Sequence, residues 1–344
     1  MPRVTTVDGK VIDVYTKKQV RRRIKKATES DTDPTPPPPP PPPPPEFVPA
    51  YPGQPQPEFT YWGASIGVTP DGKATQYNGP ASRHEGPTGL TLGIRRRFVS
   101  SWSSRNTLIS WTKEDHGAGR LPWVSVKTPG WKEMASGSRD SEIKSVLSGI
   151  EAAAAEKALP VWLTFFHEPE DNSNAESGSS GMGDPADHFQ MNKHIRALMT
   201  QLGTKHIALA PVYMCYTFNE KDSGRKPNDW FQPGVYDFIG IDVYNPSATN
   251  GDNLFEMFQW TEMYDKVVNE WGLQIAVGEW GMKGTNISIA DRIEDWWDEI
   301  SMDENVVGAC VYDSPGGARG PWILEGEALA MFQEMMAEPE VAYI

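Results

Sequence analysis

The run SEIKSVLSGIEAAAAEKALPVWLTFFHEP (residues 141–169) changes period midway. In its first part Ile143, Val146, Leu147 and Ile150 recur three and four residues apart, which predicts an amphipathic helix over Ser141–Lys157. After Pro160 the pattern becomes a near-continuous apolar run, Val161–Phe166. Such a run suits a strand covered on both faces of a parallel sheet, not one with a wet side. A helix feeding a strand of this kind is the repeating unit of an α/β protein.

The same alternation extends in both directions. Strand-like runs occur at Tyr61–Ile66, Phe98–Trp102, Leu121–Val126, Val161–Phe166, His206–Tyr213, Phe238–Val243, Gln274–Val277 and Val306–Val311. Helical stretches fall at Asp187–Gln201, Leu254–Trp271, Ile289–Ile300 and Glu327–Met336, with Asp184–Pro185 and Ser288 as helix starts. Eight strands alternating with helices over residues 59–344 predict an α/β fold, a (β/α)8 TIM barrel, whose usual size is about 250 residues. An open doubly wound sheet is the competitor. Gly63 and Gly67 alone do not form the glycine-rich nucleotide fingerprint that would favour it.

What precedes the barrel reads differently. Pro36–Pro45 is ten consecutive prolines, a stiff polyproline II spacer spanning roughly 30 Å, and its flanks extend a proline-rich linker over 34–58. Residues 1–33 form a short basic segment, too small to bury a core alone. Within residues 1–30 there are nine basic and three acidic side chains, which leaves −20 on the rest of a chain whose net charge is −14. A body so acidic repels nucleic acid, so the basic segment is read as docking on a protein partner. No apolar run is long enough for a membrane span, and MPRVTTVDGK lacks the apolar core of a secretory signal.

In a barrel of this kind the chemistry sits where strands end. The fourth strand ends in Phe166-His167-Glu168-Pro169 and the seventh in Val277-Gly278-Glu279-Trp280-Gly281. A carboxylate directly after an apolar strand is costly if buried unpaired, so each glutamate must face a cleft or hold a partner. A surface charge or a structural ion pair is the plain alternative for either one alone. The six histidines include no HxH or HExxH spacing, so no metal or other cofactor is expected. Cys215 and Cys310 read as small buried hydrophobes.

A glutamate after strand four and another after strand seven is the pattern of the clan A glycoside hydrolases. Phe166-His167-Glu168 resembles glycoside hydrolase family 26, the β-mannanase family, as do Gly278-Glu279-Trp280-Gly281 and Gly240-Ile241-Asp242-Val243-Tyr244. The resemblance covers roughly residues 60–337. It implies a retaining β-glycosidase acting on a polysaccharide, with Glu168 as general acid/base, Glu279 as nucleophile and Tyr244 beside it. His167 is then a substrate-site residue that helps set the acid's environment, with a buried, backbone-satisfied histidine as the alternative. A retaining mechanism requires the two carboxyls about 5–5.5 Å apart, one protonated and one ionised.

Thirteen tryptophans offer flat faces on which sugars stack. Trp62, Trp102 and Trp280 fall at or near strand ends and are taken as substrate-binding candidates, though packing is the ordinary role of such residues. Asp313, at the end of strand eight, stands where the clan often places a tryptophan under the sugar. It is taken as a site residue, with Tyr312 or Trp322 as substitute platforms. The polar loop Asp171–Gly183 follows Glu168; an ordinary mobile loop is its default reading and a subsite wall the functional one.

A basic docking head on a rigid stalk resembles a minor tail protein of a bacteriophage. That implies other tail proteins as partners, location in the virion and a host cell-envelope glycan as substrate. A catalytically silent glycan-binding adsorption module and a purely structural tail protein are the alternatives.

Overall fold

The computed structural model describes residues 3–5, 11–13 and 47–344, except 76–77, 176, 248–251, 317–319 and the side chains at 286–287. The ten-proline run lies outside the described residues. The chain divides into two units, Met1–Val48 and Pro49–Ile344. In the first, β1 (Arg3–Thr5) pairs antiparallel with β2 (Val11–Asp13).

The second unit holds one parallel sheet of nine segments. They are β3 (Tyr61–Ile66), β4 (Ile94–Val99), β5 (Leu121–Val126), β6 (Val161–Phe165), β7 (Ile207–Leu209), β8 (Val212–Met214), β9 (Ile239–Asn245), β10 (Ile275–Met282) and β11 (Val306–Asp313). The pairing order runs β7-β6-β5-β4-β3-β11-β10-β9-β8. Its two ends, β7 and β8, are one stretch of chain interrupted at Ala210–Pro211, where proline has no N–H to give a ladder. The sheet therefore closes on itself as an eight-stranded (β/α)8 barrel.

All eight expected strands are present, one of them shifted. The second strand lies at Ile94–Val99, upstream of the expected Phe98–Trp102. Three successive arginines disguised it: Arg96 points into the barrel, while Arg95 and Arg97 point out to Glu114 and Asp115. The helix Thr107–Gly117 has no apolar period to announce it, because its buried face is Leu108, Thr112, Asp115 and His116. Asp184 does start the helix Pro185–Leu202, its N–H reaching Asp187 Oδ2 at 2.9 Å. The helix Asn286–Ile300 begins at Thr285, not Ser288: the Thr285 hydroxyl accepts from the Ser288 N–H at 3.2 Å.

Alternation along the strands makes two cores. Tyr61, Ile94, Leu121, Trp123, Trp162 and Phe238 fill the barrel's interior, while a larger shell packs strands against helices. The interior plug recruits Tyr51, whose ring lies 5.4 Å from Phe238 and whose hydroxyl reaches Gln274 at 2.9 Å. Trp162 Nε1 donates to Pro52 O at 3.2 Å. Residues 49–58, expected to be linker, thus begin the folded unit. Among the described residues no helix is long and apolar enough to cross a membrane.

Candidate active site

At the carboxyl ends of the strands a cleft of about 930 Å³ opens. Its walls include Phe98, Lys127, His167, Glu168, Asp242, Tyr244, Glu279, Tyr312 and Trp322. Both strand-end glutamates face it.

Each glutamate is aimed by an irregularity in the backbone. At the end of β6, Phe166 and Glu168 adopt left-handed φ values of 65° and 48°. Non-glycine residues rarely hold such angles unless surrounding bonds over-determine them. Here the Phe166 N–H donates to Val126 O at 2.9 Å and the Glu168 N–H to Val212 O at 2.8 Å. Lys127 Nζ holds His167 O, and Asn174 Nδ2 holds Glu168 O, each at 3.0 Å. In β10 the register slips: Val277 pairs with Ile241, but Glu279 with Asp242, leaving Gly278 as an extra residue. Such a bulge re-aims side chains. A Cβ on Gly278 would sit 2.8 Å from Asp242 Oδ1, so the bulged position takes glycine.

The two carboxyls sit in different electrostatic surroundings. Burial, then the charges of Glu279 and Glu170, push Glu168 up to about 8. Burial also raises Glu279, but three groups oppose it: the Tyr244 hydroxyl, which donates to Oε2 at 2.5 Å, then Arg96 and Lys127. Of the two, Glu168 is therefore the carboxyl pushed toward its protonated form, while Tyr244, Arg96 and Lys127 favour the charged form of Glu279. Burial, Lys127 and Arg96 hold His167 well below the usual histidine range, so it is neutral. Its ring lies 5.0 Å from Phe98, and its Nδ1 has no hydrogen-bond partner among the described residues.

Four of the sequence-selected site residues lie elsewhere. Trp280 follows Glu279 and so takes the opposite side of the strand, packing 5.5 Å from Trp62 in the outer shell. Trp62 follows inward-facing Tyr61 and is outward for the same reason, 5.0 Å from Phe332. Trp102 lies beyond β4, in the turn Trp102–Ser104, with its Nε1 on Glu142 at 2.8 Å. Asp313 follows inward-facing Tyr312 and points outward, fully buried against Arg83, with His84 Nε2 at 3.0 Å. None of the four lines the cleft.

Asp313 does act on the cleft indirectly. Its Oδ1 accepts from the Leu324 N–H at 3.0 Å, and Arg83 Nη2 donates to Leu324 O at 2.6 Å. That pair ties down the returning segment that carries Trp322, whose ring lies 4.7 Å from Tyr244. Trp322 and Tyr312 thus stand in the cleft wall at the end of strand eight. Trp230 is buried outside the cleft, 6.1 Å from Trp131.

Sequence reasoning missed Arg96, Lys127 and Asp242. Arg96 is buried in the barrel between Phe98 and Trp123, 4.5 and 4.6 Å from their rings. Asp242 is cross-strand from Glu279 and raised well above the carboxylate range by burial, Glu279 and Glu168. For Asp242 the available signal was a charged residue at inward phase inside an otherwise apolar strand.

The two strand-end glutamates thus share one cleft at the carboxyl ends of a closed (β/α)8 barrel. Among solved structures the fold is like that of glycoside hydrolase family 26 domains. It is similar to the family 26 domain of an endo-β-mannanase/endo-β-glucanase from Prevotella bryantii, with a TM-score of 0.52 and 14% identity over 83% of this chain and 91% of that one. The endo-β-1,4-mannanase catalytic domain of a Bacillus species gives 0.54 and 15% over 83% and 87%. A family 26 β-mannanase from Bacteroides ovatus gives 0.53 and 13% over 83% and 91%. No protein-family model matches the sequence, and no curated protein aligns with it significantly.

Proposed function

We propose that the barrel is a retaining β-glycosidase, β-mannanase-like, that hydrolyses a polysaccharide. One observation carries the reading: two glutamates share a cleft, and their surroundings differ, with burial and neighbouring carboxylates raising Glu168 while Tyr244, Arg96 and Lys127 favour the charged form of Glu279. That difference has the sign that double displacement at an anomeric carbon requires. Glu279 attacks the anomeric carbon while Glu168 protonates the departing glycosidic oxygen. The covalent glycosyl-enzyme is then hydrolysed by a water that Glu168, now ionised, deprotonates. Lys127 and Arg96 offset the negative charge of the site, and Tyr244 orients the nucleophile. The fold likeness to family 26 mannanase domains supports the same reading.

The test is the release of reducing ends from β-mannan and β-glucan, with the first-formed anomer followed by proton NMR. A β product, with Glu168→Gln and Glu279→Gln each lowering turnover by about a thousandfold or more, is expected. An α product overturns retention. Glycan binding with no turnover would make the barrel an adsorption module instead.

The basic segment and ten-proline run support a further placement, on a bacteriophage tail acting on a host-envelope glycan. Detection of the chain in purified virions, with binding to isolated tails lost on removing residues 1–33, would establish it. Absence from virions would end it.

A further inference from the structure

Glu168 stands where the regular strand ladder has ended. Strand β6 stops at Phe165, whereas Glu279 lies inside β10, paired with Asp242 on β9 and followed by the Trp280–Val311 pair with β11. Glu168 also holds its left-handed φ of 48° immediately before Pro169. A proline crowds the preceding residue toward extended backbone with negative φ, so local sterics oppose this conformation. The place of the acid/base carboxyl is therefore set by what grips its peptide groups.

One grip comes from the loop that follows. Asn174 is 6% exposed, while its neighbours Asn172, Ser173 and Ala175 are exposed. Its Nδ2 donates to the Glu168 carbonyl at 3.0 Å, and the Asp171 N–H reaches the same oxygen at a longer 3.3 Å. An asparagine turned inward from such a loop is ordinarily just closing its own turn. This one is braced from further away. Its N–H donates to Asp171 O at 2.8 Å, and its carbonyl accepts from the Met182 N–H at 2.9 Å. Met182 O in turn accepts at 3.0 Å from the N–H of fully buried Trp131, which opens the helix Trp131–Ala135 after β5. The Ser180 N–H donates to Ser173 O at 2.8 Å and ties the two arms of the loop together. The amide is thus carried on a bonded frame that reaches the neighbouring strand's loop.

Asn174 is not part of the cleft wall. Whatever it does for the reaction passes through the Glu168 peptide, and the β10 ladder that holds Glu279 does not depend on it.

We propose that Asn174 is a positioning residue for the acid/base: by holding the Glu168 carbonyl it sets where the carboxyl delivers its proton to the departing glycosidic oxygen. The proposal rests on the glycosidase reading. As the bond between the anomeric carbon and that oxygen breaks, its electron pair goes to oxygen and the Glu168 proton follows. A leaving group that is stable as an anion needs no such proton.

The test exploits that difference. kcat/KM is measured for wild type, Asn174→Ala and Asn174→Asp on phenyl and dinitrophenyl β-mannobiosides and cellobiosides, the dinitrophenyl substrates releasing an acidic phenol. Both variants lack the amide donor, and aspartate keeps the shape of asparagine. The ratio of the two leaving groups on one protein does not depend on how much of it is folded, so lost stability alone cancels. On the phenyl substrates both variants should lose about a hundredfold, the penalty for misplacing a reacting group by ~1 Å. On the dinitrophenyl substrates they should stay within about threefold of wild type. Glu168→Gln should show the same selectivity more strongly. Equal losses with both leaving groups, or no loss with either, overturn the positioning role and leave the glycosidase reading standing. A Glu168→Gln protein without leaving-group selectivity, or a wild type that hydrolyses none of these substrates, overturns both.

Discussion

The Tyr244 hydroxyl donates to Glu279 Oε2 at 2.5 Å across neighbouring strands β9 and β10. A hydrogen bond to a carboxylate favours its charged form, and in a buried cleft this bond opposes the protonation that burial alone would bring. It separates the behaviour of two glutamates that burial treats alike.

Tyr244→Phe removes that donor and leaves the ring. Loss of a hydrogen bond to a charged group costs about 1.5–3 kcal/mol, so kcat/KM should fall roughly ten- to a hundredfold. The acid limb of the pH–rate profile should move to higher pH, because Glu279 then holds a proton more readily. Steady-state kinetics across pH on the wild type and variant would show it; an unmoved acid limb would contradict the role assigned to the bond.

Wild-type activity should decline as pH rises through about 8, where Glu168 loses the proton it must donate. Below that pH the acid is protonated, and activity then falls only where Glu279 also takes a proton. Because the two carboxyls interact, the limbs report the pair. A kcat/KM profile lacking any decline between neutrality and about pH 9 would remove Glu168 as the acid.

Gly278→Ala places a methyl 2.8 Å from Asp242 Oδ1, and backbone must shift at the bulge that aims Glu279. A displacement on the order of 1 Å costs about a hundredfold in rate. We expect kcat to drop at least that far while thermal stability changes little by comparison. Equal activity in variant and wild type would show that the bulge is not needed to place the nucleophile.

Asp313→Ala leaves Arg83 buried without its anion and frees the Leu324 N–H. Breaking a buried pair in this way destabilises by about 3–5 kcal/mol, which denaturant titration would read. Since the same pair anchors the segment bearing Trp322, KM should rise more than kcat falls in whatever fraction remains folded. Asp313→Asn, which keeps an acceptor for Leu324, should recover part of the KM. Variants with wild-type stability would refute the anchoring role.

Glu170 is buried, with Oε1 accepting from the Met214 N–H at 2.5 Å and the Thr217 hydroxyl at 3.0 Å. Burial raises it to about 7. A carboxyl raised on folding favours the folded state fully below its unfolded value, near 4.3, and that advantage is lost as pH climbs through about 7. Glu170→Gln removes the titration. The variant should lose less stability than wild type between about pH 5 and 8, by on the order of 1–3 kcal/mol. Parallel stability-against-pH curves would count against it.

Local pattern alone was enough for the barrel. Near-continuous apolar runs such as Val161–Phe165 suit strands covered on both sides, and their alternation with helices leaves few topologies, although the arginines of Ile94–Val99 hid the second strand's true position. Glu168 and Glu279 were legible too, as charges placed where apolar strands stop. Tertiary structure decided which way neighbouring side chains point. Trp62, Trp280 and Asp313 stand beside residues that face the interior, and a strand sends neighbours to opposite sides. The phase of that alternation is set by pairing with other strands and by the extra residue at Gly278, neither of which is written in any one segment. The surroundings that set the two glutamates apart come from Tyr244, Arg96 and Lys127, on three other strands or their ends, and only closure of the sheet brings them together. Spacing along a chain can nominate a charged group, but its electrostatic environment is a sum over distances in space.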